Sequence, residues 1–454
     1  MIQKLMIVLL VTTLTACQQH RSEPKEFSQQ QLQADLYQLV DELKAYHPGL
    51  YWYQTPEEFE KRISSAITAT KEGQNFTDFY KSVNQLTCSI GCGHTRTRMP
   101  EDRYNELMDT TLALPLQVCI TGDGIFTKDA GYGLPKGTQI VSVGGIEVAD
   151  ILSELYTLVP SDGYNITGKD YSIGPRFGLL LALYFGIDGP TTTIDYITPW
   201  RKIPQTKEIG LEPFSNNHIT ENKPLLSFTD AALPNTKILR VGTFSDYMIK
   251  DAGFDYFNFL ESAFSQLKKE NTQTLIIDVR GNGGGNDHYG ATLVSYIADG
   301  AFNYFEKIEV SEAYDGYGEI KEVDSSRYML SHQDLAPQQP AKNRFTGKVY
   351  ILADGGSFST TADFVSIAKN IGAASVVGQE TGGGACGNTS GNNKSITLAN
   401  SGISVQIQMW GYSSAINKEL PCGQGVLPDY KVVDLPFTDN DEMIEMIAEL
   451  QDNS

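Results

Sequence analysis

Leu32, Leu36, Leu39, Val40 and Leu43 recur at three- and four-residue intervals, and the run is broken by His47-Pro48-Gly49. That spacing puts one apolar stripe on one helix face. Thr55-Pro56-Glu57-Glu58 then combines a capping hydroxyl, a proline suited to the first helical turn and a glutamate that can reach back, ahead of Phe59, Ile63 and Ile67. Phe76, Phe79 and Tyr80 mark a third helix. Residues 31–105 are therefore predicted to form a helical domain.

From 112 to 212 the rhythm changes to short strands around a helix. Gly137-Thr138-Gln139-Ile140-Val141-Ser142-Val143-Gly144-Gly145-Ile146, followed by Ile151, Leu152 and Leu155, predicts a strand, a tight glycine turn and a helix. The segment resembles a PDZ module, which can take a peptide as an added strand. A structural insert with no peptide bound is the alternative.

Residues 213–440 read as an α/β unit. Ile238–Val241, Leu275–Val279 and Val349–Ala353 are largely apolar strands of the kind buried on both faces, and Phe254, Phe257, Leu260, Phe264 and Leu267 line a helix between the first two. Alternation of strands with helices predicts a mostly parallel sheet, with a site at the strands' carboxyl ends. The fold class expected is thus α/β, with helical, PDZ-like and α/β sections.

The amino-terminal segment changes the picture of where the protein works. Lys4, an apolar run from Leu5 to Leu14, then Thr15-Ala16 before Cys17 form an export signal too short to span a bilayer, and Leu14-Thr15-Ala16-Cys17 resembles a lipobox. Residues 1–17 are expected to be a lipoprotein signal ending at lipidated Cys17, and polar residues 18–30 a tether. Gln18 does not resemble an inner-membrane retention signal, so the expectation is a lipid-anchored protein of the bacterial cell envelope, at the outer membrane. A formal net charge of -20 argues against nucleic acid as a partner. Removing Cys17 from six cysteines leaves an odd number, Cys88, Cys92, Cys119, Cys386 and Cys422. Cys88, Cys92 and His94 lack the fourth ligand of a structural zinc site, so no metal is expected.

Candidate chemistry gathers at two strand ends. Arg280-Gly281-Asn282-Gly283-Gly284-Gly285-Asn286 lets backbone N–H groups converge on an anion, yet matches neither the dinucleotide nor the P-loop signature. Asp354-Gly355-Gly356-Ser357-Phe358-Ser359-Thr360-Thr361 presents hydroxyls at a strand-to-helix turn, where they serve either as helix caps or as a nucleophile. A serine nucleophile needs a base. His94 in Gly91-Cys92-Gly93-His94-Thr95 is the first candidate, and His288 behind the glycine turn is the second.

Taken in order, Gly93-His94-Thr95, the PDZ-like segment, Leu275 through Gly284, Ser357-Phe358-Ser359, Val377 through Gly384 and Gly425-Val426-Leu427-Pro428-Asp429 resemble the C-terminal processing, or tail-specific, serine peptidases, including their tricorn-core and interphotoreceptor retinoid-binding protein-like branch. The resemblance implies a ClpP/crotonase-like catalytic domain, peptide or polypeptide substrates and no cofactor. It assigns Ser359 as nucleophile, with Ser357 the alternative, and oxyanion donors at Thr360 and at Gly283 or Gly284. In the branch with a serine–lysine dyad, the lysine lies where this chain has Gly384, so only a reach by Lys394 would restore it. The tricorn-like branch uses a histidine matching His94. Its orienting glutamate would fall at Cys422, which leaves Glu380, preferred over Glu419, as the acid. Cys386 and Cys422 would flank the site and suit a disulfide. A peptide- or apolar-ligand-binding protein on the same scaffold, without catalysis, is the reading of a different class. An esterase of small acyl substrates is a third.

Overall fold

The computed structural model describes residues 27–122, 124–214, 223–417, 422–433 and 441–452. Cys17, most of the tether and Glu419 therefore lie outside the described residues. No described helix is long and apolar enough to cross a membrane.

The sheet of the α/β section is built from the apolar runs read in the sequence. Its strand order is Leu226–Asp230, Thr236–Val241, Thr274–Asp278, Lys348–Ala353, Ser375–Gly378 and Tyr430–Lys431, parallel throughout except for the first pair. Successive side chains alternate faces. Leu275, Ile277, Val349, Ile351 and Ala353 face the main core, which also takes Leu260, Phe264 and Leu267 from helix Tyr256–Lys269 and Phe364 and Ile367 from helix Thr360–Asn370. Ile276, Tyr350, Leu352 and Val377 face the other way and are covered by Met443 and Ile447 of the last helix, Glu442–Asp452. Full burial of such side chains is worth about 1.5–3 kcal/mol each, so both faces need a cover. Asp278 is one of the few charges in this core; it is held by Arg280 at 2.9 Å and Arg240 at 3.1 Å.

The middle section is an antiparallel sheet, in the order Val118–Thr121, Gly124–Thr127, Gln139–Val143, Thr191–Ile197 and Gln205–Gly210. The strand, glycine turn and helix read from residues 137–155 are present, with Gly144 and Gly145 at positive φ and the helix at Val148–Leu155. Its own apolar core runs from Leu114 to Leu211.

The amino-terminal helices differ from expectation in how they are stabilised. Helices Gln29–Tyr46, Pro56–Ala69 and Phe76–Cys88 form, and the first two start with reciprocal capping boxes at Ser28 and Thr55. Their shared core, however, is completed by Ile396, Leu398, Ile403, Val405 and Ile407 from the α/β section. Three amphipathic helices of 18, 14 and 13 residues leave an apolar face uncovered, and the hairpin of Thr389–Thr397 with Ser404–Ser414 supplies the missing wall. Immediately after the third helix, Arg96–Arg98 joins that hairpin's sheet through the register Arg96–Gln406, Thr97–Val405 and Arg98–Ser404. This addition carries the neighbouring His94 into the α/β section.

Candidate active site

Ser359 stands between the end of strand Lys348–Ala353 and helix Thr360–Asn370, with φ 58° and ψ -130°. A non-glycine residue held there is strained, at a cost of about 1–3 kcal/mol, and persists only where its surroundings fix it. They do. Phe358 donates its N–H to Asn282 O at 3.0 Å, and Asp354 Oδ1 accepts from Gly281 N at 2.8 Å and Gly356 N at 2.9 Å. Although Ser359 occupies the capping position, its side chain makes no cap hydrogen bond. Its Oγ instead lies 3.0 Å from His94 Nε2.

His94 is fixed from several sides. Its carbonyl accepts from Gln408 Nε2 at 2.8 Å, and its ring stacks on Phe358 with centroids 4.6 Å apart. Gly93 before it donates its N–H to Asp162 Oδ1 at 2.8 Å. A Cβ at Gly93 would meet Phe358 Cζ at 2.7 Å, so no larger residue fits there without moving the stacked ring. Burial, aided by the Arg96 guanidinium, pushes the imidazole pKa down to about 3, so the ring is neutral and able to accept a proton. Its Nδ1 is buried without a hydrogen-bond partner among the described residues.

Glu380, expected to orient that ring, is engaged elsewhere. Its Oε1 accepts from Gly425 N at 2.7 Å and Asn165 Nδ2 at 3.1 Å, and Oε2 from Thr167 Oγ1 at 3.0 Å. The carboxylate spans loops of the middle and α/β sections rather than touching the base. Lys394 is likewise removed from the serine, its ammonium lying 5.0 Å from the Tyr46 ring centroid. His288 Nδ1 pairs with Asp334 at 2.8 Å. Ser357 is fully buried and donates to Val279 O at 3.0 Å, the bonding of a structural hydroxyl.

The three expected oxyanion donors separate into two kinds. Gly284, with φ 94°, packs so tightly that a Cβ there would lie 2.8 Å from Ser359 Cβ, but its N–H is already given to Asn282 Oδ1 at 2.9 Å. The N–H groups of Gly283 and Thr360 make no hydrogen bond among the described residues. Thr360 also starts the helix, whose N-terminal dipole favours negative charge. Its hydroxyl donates to Asp287 Oδ1 at 2.8 Å, which ties the helix start to the glycine turn. Beyond the serine, Cys386 and Cys422 form a disulfide, in which Cys88, Cys92 and Cys119 take no part.

A hydroxyl turned away from capping, an imidazole at hydrogen-bond distance and two unbonded N–H groups beside them are the parts a serine hydrolase uses. Residues 238–432 match the model of Peptidase family S41. That match spans the α/β section, less than half of the chain, and supports a serine peptidase. Its fold is similar to that of mature CPAF, at 15% sequence identity over 94% of this chain and 97% of that one, with a TM-score of 0.66. The structure of mature CPAF complexed with lactacystin is similar at 16% identity, over 94% and 97% of the two chains, with a TM-score of 0.62. No curated protein matches the sequence.

Asp162, Gln408, Phe358 and Asn282 were not singled out from the sequence. Asp162 sits in Ser161-Asp162-Gly163, which reads as an ordinary turn, and the other three gain meaning only from contacts across the chain.

Proposed function

We propose that this peptidase cleaves peptide bonds through an acyl-enzyme on Ser359, with His94 as general base and the N–H groups of Gly283 and Thr360 as oxyanion donors. The observation that carries the reading is the 3.0 Å contact between Ser359 Oγ and His94 Nε2. Oγ attacks the scissile carbonyl carbon as Nε2 takes its proton, and the carbonyl oxygen becomes an oxyanion against the two N–H groups. Collapse breaks the C–N bond, and the proton on Nε2 passes to the leaving amine. Water then attacks the ester, giving its proton to Nε2, and Ser359 recovers that proton as the acid product leaves.

Substrates in this reading are peptides or polypeptides, and the protein acts in the bacterial cell envelope, anchored through lipid on Cys17 at the outer membrane. The leader sequence supports the location, and the family supports the substrate class. The binding-protein reading has less support, since a retired site has no reason to retain a serine at strained φ facing a neutral imidazole. Peptide turnover by the mature chain tests the proposal. Ser359→Ala should abolish it and His94→Ala should lower kcat by about 10²–10⁴-fold. Turnover unchanged in either variant would refute the assignment.

A further inference from the structure

The unpartnered Nδ1 leaves open what holds His94 against Ser359, and four consecutive residues of the middle section bear on it. Asp162 Oδ1 accepts from Gly93 N at 2.8 Å, and its Oδ2 accepts from Gly384 N at 3.2 Å. Gly163 donates to Gly91 O at 2.8 Å, and Tyr164 to Gly423 O at 2.7 Å, beside the disulfide. Asn165 Nδ2 donates to Thr381 O at 2.7 Å. The segment 162–165 thus runs between the loop bearing the base and the loops beyond the nucleophile. Asp162 alone bonds both with one side chain. Gly384 follows Gly383, where a Cβ would lie 2.7 Å from the backbone nitrogen of Ser359.

Asp162 is 2% exposed, and a carboxylate buried without a bonded cation is costly. Asparagine would avoid that cost but has one acceptor oxygen, and its NH₂ would oppose one of the two N–H donors. Only the ionised carboxylate accepts both at once, in charge-assisted bonds. The expense of the charge is therefore matched to a two-loop geometry that a neutral side chain cannot hold.

We propose that Asp162 is the positioning residue of this active site, fixing the base loop against the nucleophile loop by holding Gly93 and Gly384 on one carboxylate. It acts on His94 through the backbone, in place of an acid on Nδ1. The inference rests on the assignment of Ser359 and His94 above. Burial pushes the Asp162 carboxyl up to about 6, so the double acceptor is lost as pH falls through that value. The charged and titratable groups facing it are Arg96, Tyr53, Cys92 and Asp363. Burial raises the Tyr53 and Cys92 pKa values, which keeps those two neutral near pH 6, and raises that of Asp363 well above the ordinary carboxyl range. His94, at about 3, stays neutral across the same range and does not supply the titration.

The rate of fluorophosphonate labelling of the mature wild-type chain, followed from pH 4.5 to 8, tests this directly. We expect an acid limb with a midpoint near 6. Asp162→Asn should slow labelling by about 10²-fold, the cost of roughly an ångström of misplacement. It should lower kcat on a peptide substrate far more than it changes KM, and it should lack the limb near 6. Asn165→Ala cuts the same segment's tie to Thr381 without touching Gly93, and should lower the melting temperature while keeping the limb. A wild-type profile flat through pH 6, or an Asp162→Asn labelling rate within about threefold of wild type, would overturn the proposal. So would loss of the limb in Asn165→Ala. Wild-type protein that is not labelled at any pH would refute instead the assignment of Ser359.

Discussion

His94 Nε2 and Ser359 Oγ lie 3.0 Å apart across 265 residues of sequence. The separation is closed by two contacts with one strand, Ser404–Ser414. Arg96–Arg98 pairs with Ser404–Gln406, and the same long strand contributes Gln408, whose amide holds the His94 carbonyl. The nucleophile arrives independently, at the end of a parallel strand whose loop is braced by Asn282 and Asp354.

Ser357 and Ser359 are separated by one residue and play opposite parts. Ser357→Ala removes a buried hydrogen bond to Val279 O and should lower stability by about 1–2 kcal/mol while labelling at Ser359 persists. Thermal melting and labelling of the same sample check both halves; loss of labelling in folded protein would move the nucleophile to Ser357.

Glu380→Gln removes the charge that strengthens three hydrogen bonds, from Gly425 N, Asn165 Nδ2 and Thr167 Oγ1. The expected outcome is a stability loss of about 1–3 kcal/mol with kcat changed by less than tenfold. An orienting acid of a triad would instead cost about 10⁴-fold in kcat. Chemical denaturation beside steady-state kinetics separates the two.

His47 is buried at 5% exposure, and neither ring nitrogen has a hydrogen-bond partner among the described residues. Burial pushes its pKa down to about 4, below the ordinary 6.5 of the unfolded chain. Between those values the unfolded state binds more protons, so stability is lost as pH falls from 6.5 toward 4. His47→Phe removes this penalty, and its stability relative to wild type should rise by about 2 kcal/mol between pH 8 and pH 5. Equal differences at the two pH values, measured by denaturant titration, would show that His47 is not buried as a neutral ring.

Much of the fold was legible because burial writes a period into the sequence. Leu275–Val279 and Val349–Ala353 are strands because both faces are covered, and Thr55 through Glu58 spell out a helix start in adjacent residues. Glycine-flanked local motifs, and their order along the chain, pointed to Ser359 and His94, which the fold brings within 3.0 Å. Asp162 was not, since its two bonds go to residues 69 and 222 positions away and nothing in a Ser-Asp-Gly turn reports them. Glu380 was misassigned for the related reason that its loop does border the serine, but its carboxylate turns to Asn165 and Gly425. The shared core of the amino-terminal helices and the 389–407 hairpin was hidden in the same way, because helix periodicity marks an apolar face without naming what covers it.

Ser359 acts as a nucleophile activated by His94 in the proposed mechanism. Mass spectrometry of the mature protein after brief fluorophosphonate treatment should place one adduct on Ser359, with none on Ser359→Ala and a rate reduced at least 10²-fold on His94→Ala. An adduct on another residue, no adduct on folded wild-type protein, or an unchanged rate in His94→Ala would contradict it.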